Sequence, residues 1–370
     1  MHGWFILPNW VFYFSKHLTI AQIGLIEGIA VLIGILMEVP SGVLADLLGK
    51  KKTIIIGNLL LILSSLIIIN STEFIHFLIG DVMMFIGFAF QSGAVEAFTY
   101  DSLKEKGKED QYDTVISRHT PITIITTIIS TFIGGYLFKL NSSTPYYAWI
   151  IFLTVATLFM LNTTEPTIDS VRFSPKTYLR HLREGVMTLF SKNLRSYLAP
   201  IIAISLLIKM YEGLVRQSMA NYFGYNGETF GYLFALVSIP AILVTLGYDR
   251  LRKFLGNKKF LLLTLGLYAL GFSIASAGTG LVVGGIVYLI IMVTQGLARP
   301  IVSSLINERI DSKHRATTLS TLSLITQIPY IILVTFFASL VEMQNIPYLM
   351  LGYALCLAIV WSHTAVFVRN

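Results

Sequence analysis

Long apolar blocks separated by short polar runs dominate this chain. Many of the blocks hold about 18 to 25 residues, enough for a helix to cross a ~30 Å hydrocarbon layer. Read from their breaks, the predicted spans are Ile23–Val43, Thr53–Ile69, Phe74–Phe98, Thr120–Phe138, Tyr147–Leu161, Ser196–Ala220, Phe230–Gly247, Phe260–Ala277, Leu281–Ser304, Thr317–Val341 and Ile346–Val368. Ahead of them, Trp4 to Ser15 is too short to cross comfortably and is interrupted by Pro8. It is expected to be the remainder of a first helix that begins before this chain; a short or re-entrant segment is the alternative.

Composition supports the pattern. Of 370 residues, 55% are hydrophobic and 13% charged, against about 25% charged in soluble domains. The expected class is an all-α polytopic membrane protein. Numbering the connections alternately puts Lys50, Lys51, Lys52, Lys104, Lys106, Lys108, Arg118, the bases between Arg172 and Arg195, those between Arg250 and Lys259, Arg309, Lys313, Arg315 and Arg369 on one side. The other side holds only Lys16 and Lys139. That asymmetry assigns the basic side to the cytoplasm, and it accounts for the net charge of +7 without nucleic acid. Cys356 is the only cysteine, so no intrachain disulfide or thiolate metal site is expected. No cleavable signal peptide is evident.

The spans divide into halves, 1–162 and 196–370, joined by a polar linker, 163–195. Within the linker Ser174 can cap a helix and Pro175 suits its first turn. Leu179, Leu182, Val186 and Leu189 recur at helical steps, with Arg180, Arg183 and Lys192 on the other side. The expectation is a basic amphipathic helix along the inner leaflet; a solvated linker is the alternative. The halves also echo each other. "GVLADLLGKKK", Gly42–Lys52, follows the span Ile23–Val43, second when the Trp4–Ser15 fragment is counted as the first, and "DRLRKFLGNKK", Asp249–Lys259, follows Phe230–Gly247, the eighth on the same count. Each sets a glycine before a basic cluster. Internal repeats of this sort build many transporters, with the substrate site between the repeats.

Gly42-Val43-Leu44-Ala45-Asp46-Leu47-Leu48-Gly49-Lys50-Lys51 resembles the signature loop between helices two and three of the major facilitator superfamily, G-x-L-A-D-r-x-G-r-k. "EVPSG", Glu38–Gly42, and "SGAVEAFTYDSLKEKG", Ser92–Gly107, are also similar, the latter to a bacterial branch of efflux permeases. The resemblance implies two six-helix bundles, the first helix truncated. It also implies that Asp46, with Gly42, Gly49, Lys50 and Lys51, latches the cytoplasmic side shut, pairing with Arg118 or with the start of the eleventh predicted helix near Thr317. The alternative is that Asp46 caps a turn. The chain departs from the family in three places. Leu48 stands where nearby sites carry basic or small residues. The fourth helix lacks the arginine of many proton-coupled members. The fifth has Gly134-Gly135 in place of a Gly-Pro pair.

Ionisable groups inside the spans are functional candidates by default. In "KMYEGLVRQ", Lys209, Glu212 and Arg216 lie three and four residues apart, which predicts one stripe facing a central cavity. Glu212 would pair with a base above and below; a self-contained ion triad is the other reading. Asp81 and Glu96 are fifteen residues apart on one predicted helix, on similar faces. The implied fold would let Asp81 pair with Lys209 or Arg216 as an outer gate, and Glu96 and Asp101 meet Arg299 near the inside. Arg299 snorkelling to the headgroups is the alternative. Glu27 is expected at the outer start of its helix in a structural role, and His363 as a neutral tenant of the last span. Tyr211, Gln217, Gln91, Phe88, Gln295 and Gln327 are the candidate cavity lining.

No nucleotide-binding G-x-x-x-x-G-K-[ST] occurs, nor H-E-x-x-H or G-x-S-x-G, so an ATP-driven pump and a hydrolase are not expected. The predicted function is secondary active transport of a small organic solute across the cytoplasmic membrane by alternating access, as proton-coupled efflux. Glu212 is the first candidate for the proton carrier and Asp81 the second. Uptake by symport and a non-transporting receptor or scaffold are the alternatives. The expected partners are the solute, protons and the bilayer, with no nucleic acid, cofactor or metal, for a monomeric chain.

Overall fold

A computed structural model of the chain describes residues 5–167, 175–191, 194–310, 312–342 and 345–368. Every described regular element is helical, as the absence of water in a hydrocarbon layer requires for a chain that is not a closed barrel. The helices are α1 (Trp10–Phe14), α2 (Ile20–Leu48), α3 (Lys50–Ile69), α4 (Phe74–Gln91), α5 (Ala94–Glu105), α6 (Tyr112–Leu140), α7 (Thr144–Leu161), α8 (Pro175–Leu189), α9 (Arg195–Met210), α10 (Arg216–Tyr222), α11 (Gly227–Leu246), α12 (Tyr248–Ala277), α13 (Leu281–Arg309), α14 (Ser312–Glu342) and α15 (Ile346–Phe367). Among the described residues, eleven helical stretches are long and apolar enough to span a membrane. Several run further than their apolar cores. The sixth helix starts at Tyr112 and the fourteenth at Ser312, because polar residues at the ends continue the helical backbone beyond the apolar layer.

Two spans depart from the predicted continuous helices. Between α4 and α5, Ser92 is extended (ψ 131°) and Gly93 has φ 73°. This break separates Asp81 from Glu96, so the helical count that put them on similar faces does not apply. Between α9 and α10, Tyr211–Val215 forms a π-helical turn, and Gly213 leaves helical geometry altogether (ψ −133°).

Two compact units divide the chain at the Tyr178–Leu179 junction, inside α8. In the first, α3 and α4 approach through glycines. A Cβ on Gly57 would lie 3.0 Å from the Gly87 carbonyl oxygen, and one on Gly87 would lie 3.0 Å from that of Gly57 and 2.9 Å from Leu61. Small residues permit such backbone contact between membrane helices. Ser64 donates to the Gly80 carbonyl (2.7 Å), and Gln91 donates to Asn58 (2.5 Å) along the same seam. The N-terminal segment is seated by Gly134 on α6. The Phe5 carbonyl abuts that glycine, and Asn9 donates to its carbonyl oxygen (2.9 Å). Tyr13 and Phe14 of α1 then pack on Tyr146 and Phe77 at 5.1 and 4.8 Å between ring centroids.

The second unit uses the same device. Gly296 of α13 lies against α11, where Thr245 donates to its carbonyl oxygen (3.0 Å) and an added Cβ would meet the Ala241 carbonyl at 2.6 Å. The linker helix is present as α8. Leu189 is buried, and the exposed Arg180 lies 3.9 Å from Glu184. Ser174 and Lys192, and the side chains of Leu179 and Leu182, lie outside the described residues.

The Gly57–Gly87 crossing makes a measurable claim. Gly87→Ala should destabilise the protein by about 1–3 kcal/mol through overpacking, read as a lower midpoint in thermal unfolding followed by circular dichroism in detergent. An unchanged midpoint would mean that the two backbones are not in contact.

Candidate functional site

The Gly42–Lys51 stretch ends α2 and begins α3. Gly49 takes φ 95° and ψ 151°, a region open essentially only to glycine. This turn leaves the first amides of α3 pointing at one carboxylate. The backbone N–H groups of Lys50 and Lys51 donate to the two oxygens of Glu165 at 2.7 and 2.9 Å. An anion is favoured there by the unsatisfied N–H groups and the helix dipole. The Lys51 ammonium donates to the carbonyls of Leu161 and Thr163 (2.9 and 2.7 Å), at the negative end of α7. The Lys50 ammonium forms an ion pair with Asp101 of α5, and both residues are buried.

The second unit repeats this arrangement. Gly256 interrupts α12 with φ 73° and ψ 163°. Beside it, Arg252 donates to Asn257 (2.9 Å) and to Glu308 (2.5 Å) at the end of α13. Tyr248 donates to Ser304 of the same helix (3.0 Å). In each unit, then, a glycine-turned loop is tied by an ion pair to the far end of the span that follows the next one. The sequence echo is also an echo in backbone conformation.

Sequence reasoning missed Glu165, and it gave Asp101 a different partner. The signal for Glu165 was its place four residues after the predicted end of a span, on the side that also holds the Gly-Lys-Lys turn. Gly42 and Asp46 are half-buried in the last turns of α2, while Arg118 is exposed on α6. The Thr317 side chain lies outside the described residues.

The charges of the seventh span separate where the backbone breaks. One residue is accommodated in the π turn, so the three-and-four spacing of Lys209, Glu212 and Arg216 no longer defines one stripe. Glu212 forms an ion pair with Arg299 of α13 rather than with a base of its own helix. This also replaces the predicted meeting of Arg299 with Glu96 or Asp101. Arg216 is 4% exposed. Its guanidinium lies 4.8 Å from the centroid of the Phe234 ring, and its Nε and Nη2 have no hydrogen-bond partner. A cation over a ring face gains some electrostatic energy, but its N–H groups are left unsatisfied. The hydroxyls of Tyr211 and Tyr268 and the Nε2 of Gln295 are likewise buried without a partner. Both tyrosines lie within electrostatic reach of Glu212. Lys209 is half-buried, and Gln217 is buried next to Arg216.

The remaining candidates lie elsewhere. Asp81 is buried on α4 within electrostatic reach of Glu27, and no described residue hydrogen-bonds it. Glu27 is itself buried two turns into α2, which starts at Ile20, and so does not sit at the outer start of its helix. Glu96 is exposed in the first turn of α5. Gln91 is engaged with Asn58, and Phe88 packs near Trp149 (6.3 Å) and Phe85 (6.2 Å). Gln327 donates to Ser323 (3.0 Å). His363 lies 4.8 Å from Phe367, its Nδ1 buried without a partner.

With eleven membrane-length helical stretches among the described residues, a repeated loop in its two units and ionisable groups within the spans, the chain is a multi-pass membrane protein. It belongs to the Major Facilitator Superfamily, whose family model matches residues 2–215. It is 23% identical over 264 residues to the uncharacterized MFS-type transporter YxaM of Bacillus subtilis, a match covering 70% of this chain and 65% of that protein's length. Its fold resembles that of the nucleoside transporter NupG (TM-score 0.73, 15% identity, 99% of this chain and 96% of that one). A mutant of NupG matches with a TM-score of 0.78 at 14% identity, over 97% and 95% of the two chains. The human organic anion transporter MFSD10 matches with a TM-score of 0.62 at 16% identity, over 92% and 83%.

The two glycine turns can be compared directly. Gly49→Ala and Gly256→Ala should each cost about 1–3 kcal/mol in backbone strain. A Cβ at Gly49 would also lie 2.8 Å from Glu165, whereas one at Gly256 meets nothing within 4 Å. The midpoint of thermal unfolding should therefore fall further for Gly49→Ala.

Proposed function

We propose that the chain is a proton-coupled exporter of a small organic solute, working by alternating access, with Glu212 as the proton carrier. The observation that supports this is the Glu212–Arg299 ion pair at a break in the seventh span, one turn from the buried Arg216, whose Nε and Nη2 have no hydrogen-bond partner among the described residues. The pair is only partly enclosed, with Arg299 59% and Glu212 32% exposed, so it is the position within a span that makes either charge costly once its partner leaves. If Arg299 moves away during the cycle, protonation of Glu212 becomes the less costly state. The irregular backbone at Gly213 supplies a place for such a movement.

The solute is read from the unused hydrogen-bonding capacity. Arg216, Tyr211, Tyr268 and Gln295 offer N–H and O–H groups and are set among aromatic rings. This suits an amphipathic molecule with acceptor oxygens. Nucleosides fit that description, and the fold resembles that of a nucleoside transporter, so uridine is a reasonable first probe. In this reading Asp46 and the Lys50–Lys51 turn belong to a cytoplasmic latch, and Asp81 is the second proton-accepting group.

The experiment is solute-driven proton movement in energised inverted vesicles, followed with a pH-sensitive dye, using uridine as the probe. Wild type should dissipate the pH gradient with its solute. Glu212→Gln should abolish that response, at least tenfold, while its thermal unfolding stays close to wild type. Coupled movement that survives Glu212→Gln would remove Glu212 from the mechanism. The same movement with the opposite direction of solute flow would make the protein an importer.

A further inference from the structure

A cavity of about 640 Å³ lies in the second unit between α9, α14 and α15. That volume is within the ~300–1,000 Å³ range of small-molecule sites. It is separate from Glu212 and Arg299, neither of which lines it. Its wall is almost entirely apolar, with Met210 of α9, Leu333 and Phe337 of α14, and Cys356 and Val360 of α15.

Polarity is graded along its length. Asn345 and the exposed Tyr348 stand where α15 begins. Val360 is fifteen residues further on, about 22 Å at 1.5 Å per residue, which exceeds the ~15 Å depth of one leaflet's hydrocarbon. Part way down, Tyr353 forms the wall. It is 5% exposed and stacks on Phe272 at 5.0 Å, and its hydroxyl has no partner. Gly352 keeps the cavity open, since a Cβ there would meet nothing within 4 Å.

We propose that this cavity is a lipid site. It takes one acyl chain of a phospholipid from the leaflet at which α15 starts. The chain lies along Gly352, Cys356 and Val360, with its ester group at the polar mouth by Asn345 and Tyr348. An apolar channel with a polar rim at one end matches an esterified chain, whereas a compact polar solute would leave the apolar length unfilled.

Cys356, the sole cysteine, is a built-in reporter because it is exposed within the cavity wall. Purified, delipidated full-length protein would be labelled with monobromobimane, with and without 1-palmitoyl-2-oleoyl-phosphatidylglycerol. The lipid should slow labelling at least fivefold, and native mass spectrometry should retain one lipid per chain. Gly352→Leu, which fills the space without a clash at Cβ, should lose the retained lipid while keeping its unfolding midpoint. A control thiol, Phe159→Cys in a Cys356→Ser background, sits on an exposed part of α7, and its labelling should not change with lipid. Equal slowing of the control, unchanged labelling of Cys356, or a lipid still retained by Gly352→Leu would each overturn the proposal.

Discussion

Charge in an apolar layer is the constraint on which this structure depends. Each ionisable group placed there must be neutralised, hydrated or paired, because on the mildest scale an isolated one costs about 2.5–3.5 kcal/mol at mid-bilayer. The chain meets the requirement in several ways. Glu212 and Arg299 pair within the second unit, as Lys50 and Asp101 do at the loop end of the first unit's spans. Arg216 is held against an aromatic face, with part of its hydrogen-bonding capacity unmet. Asp81 is buried close to a second acid. The first two arrangements account for themselves. The last two have no evident structural benefit, and groups held in that condition are where a transporter's working parts are to be sought.

The two units solve the problem of their loops in the same way with different residues. One uses lysine with aspartate and the other arginine with glutamate, and each fastens a glycine turn to the end of a later helix. Arginine's planar fork lets Arg252 reach Asn257 and Glu308 together, whereas the ammonium of Lys50 goes to one carboxylate. The first unit adds Glu165, a cap drawn from the segment after α7. What repeats is therefore a geometric task, and the side chains that perform it differ.

Apolar length is legible in a sequence because it is a property of consecutive residues. The eleven spans, the linker helix and the paired glycine turns were readable for that reason. The breaks at Ser92–Gly93 and Tyr211–Val215 were not. Nothing in "QSGAV" or "MYEGLV" excludes a regular helix, and only the packing around them decides the matter. The ion partners were misassigned for a related cause. Spacing along a helix ranked Lys209 and Arg216 as neighbours of Glu212, but one π turn shifts the register, and the partner comes from 87 residues away. Asp101 and Lys50, 51 residues apart, meet only through tertiary structure. Gln91 was read as cavity lining, yet it faces Asn58 on the next helix.

The backbone at Gly49 and Gly256 has a consequence for the gene. Every single-base change out of a glycine codon that keeps the reading open yields a residue with a β-carbon, and both positions occupy torsion angles that such residues avoid. No amino-acid replacement at either glycine is free of backbone strain. The side chains around them differ between the two units, Lys50 following its glycine and Arg252 preceding the other, while the two glycines are held in place by stereochemistry.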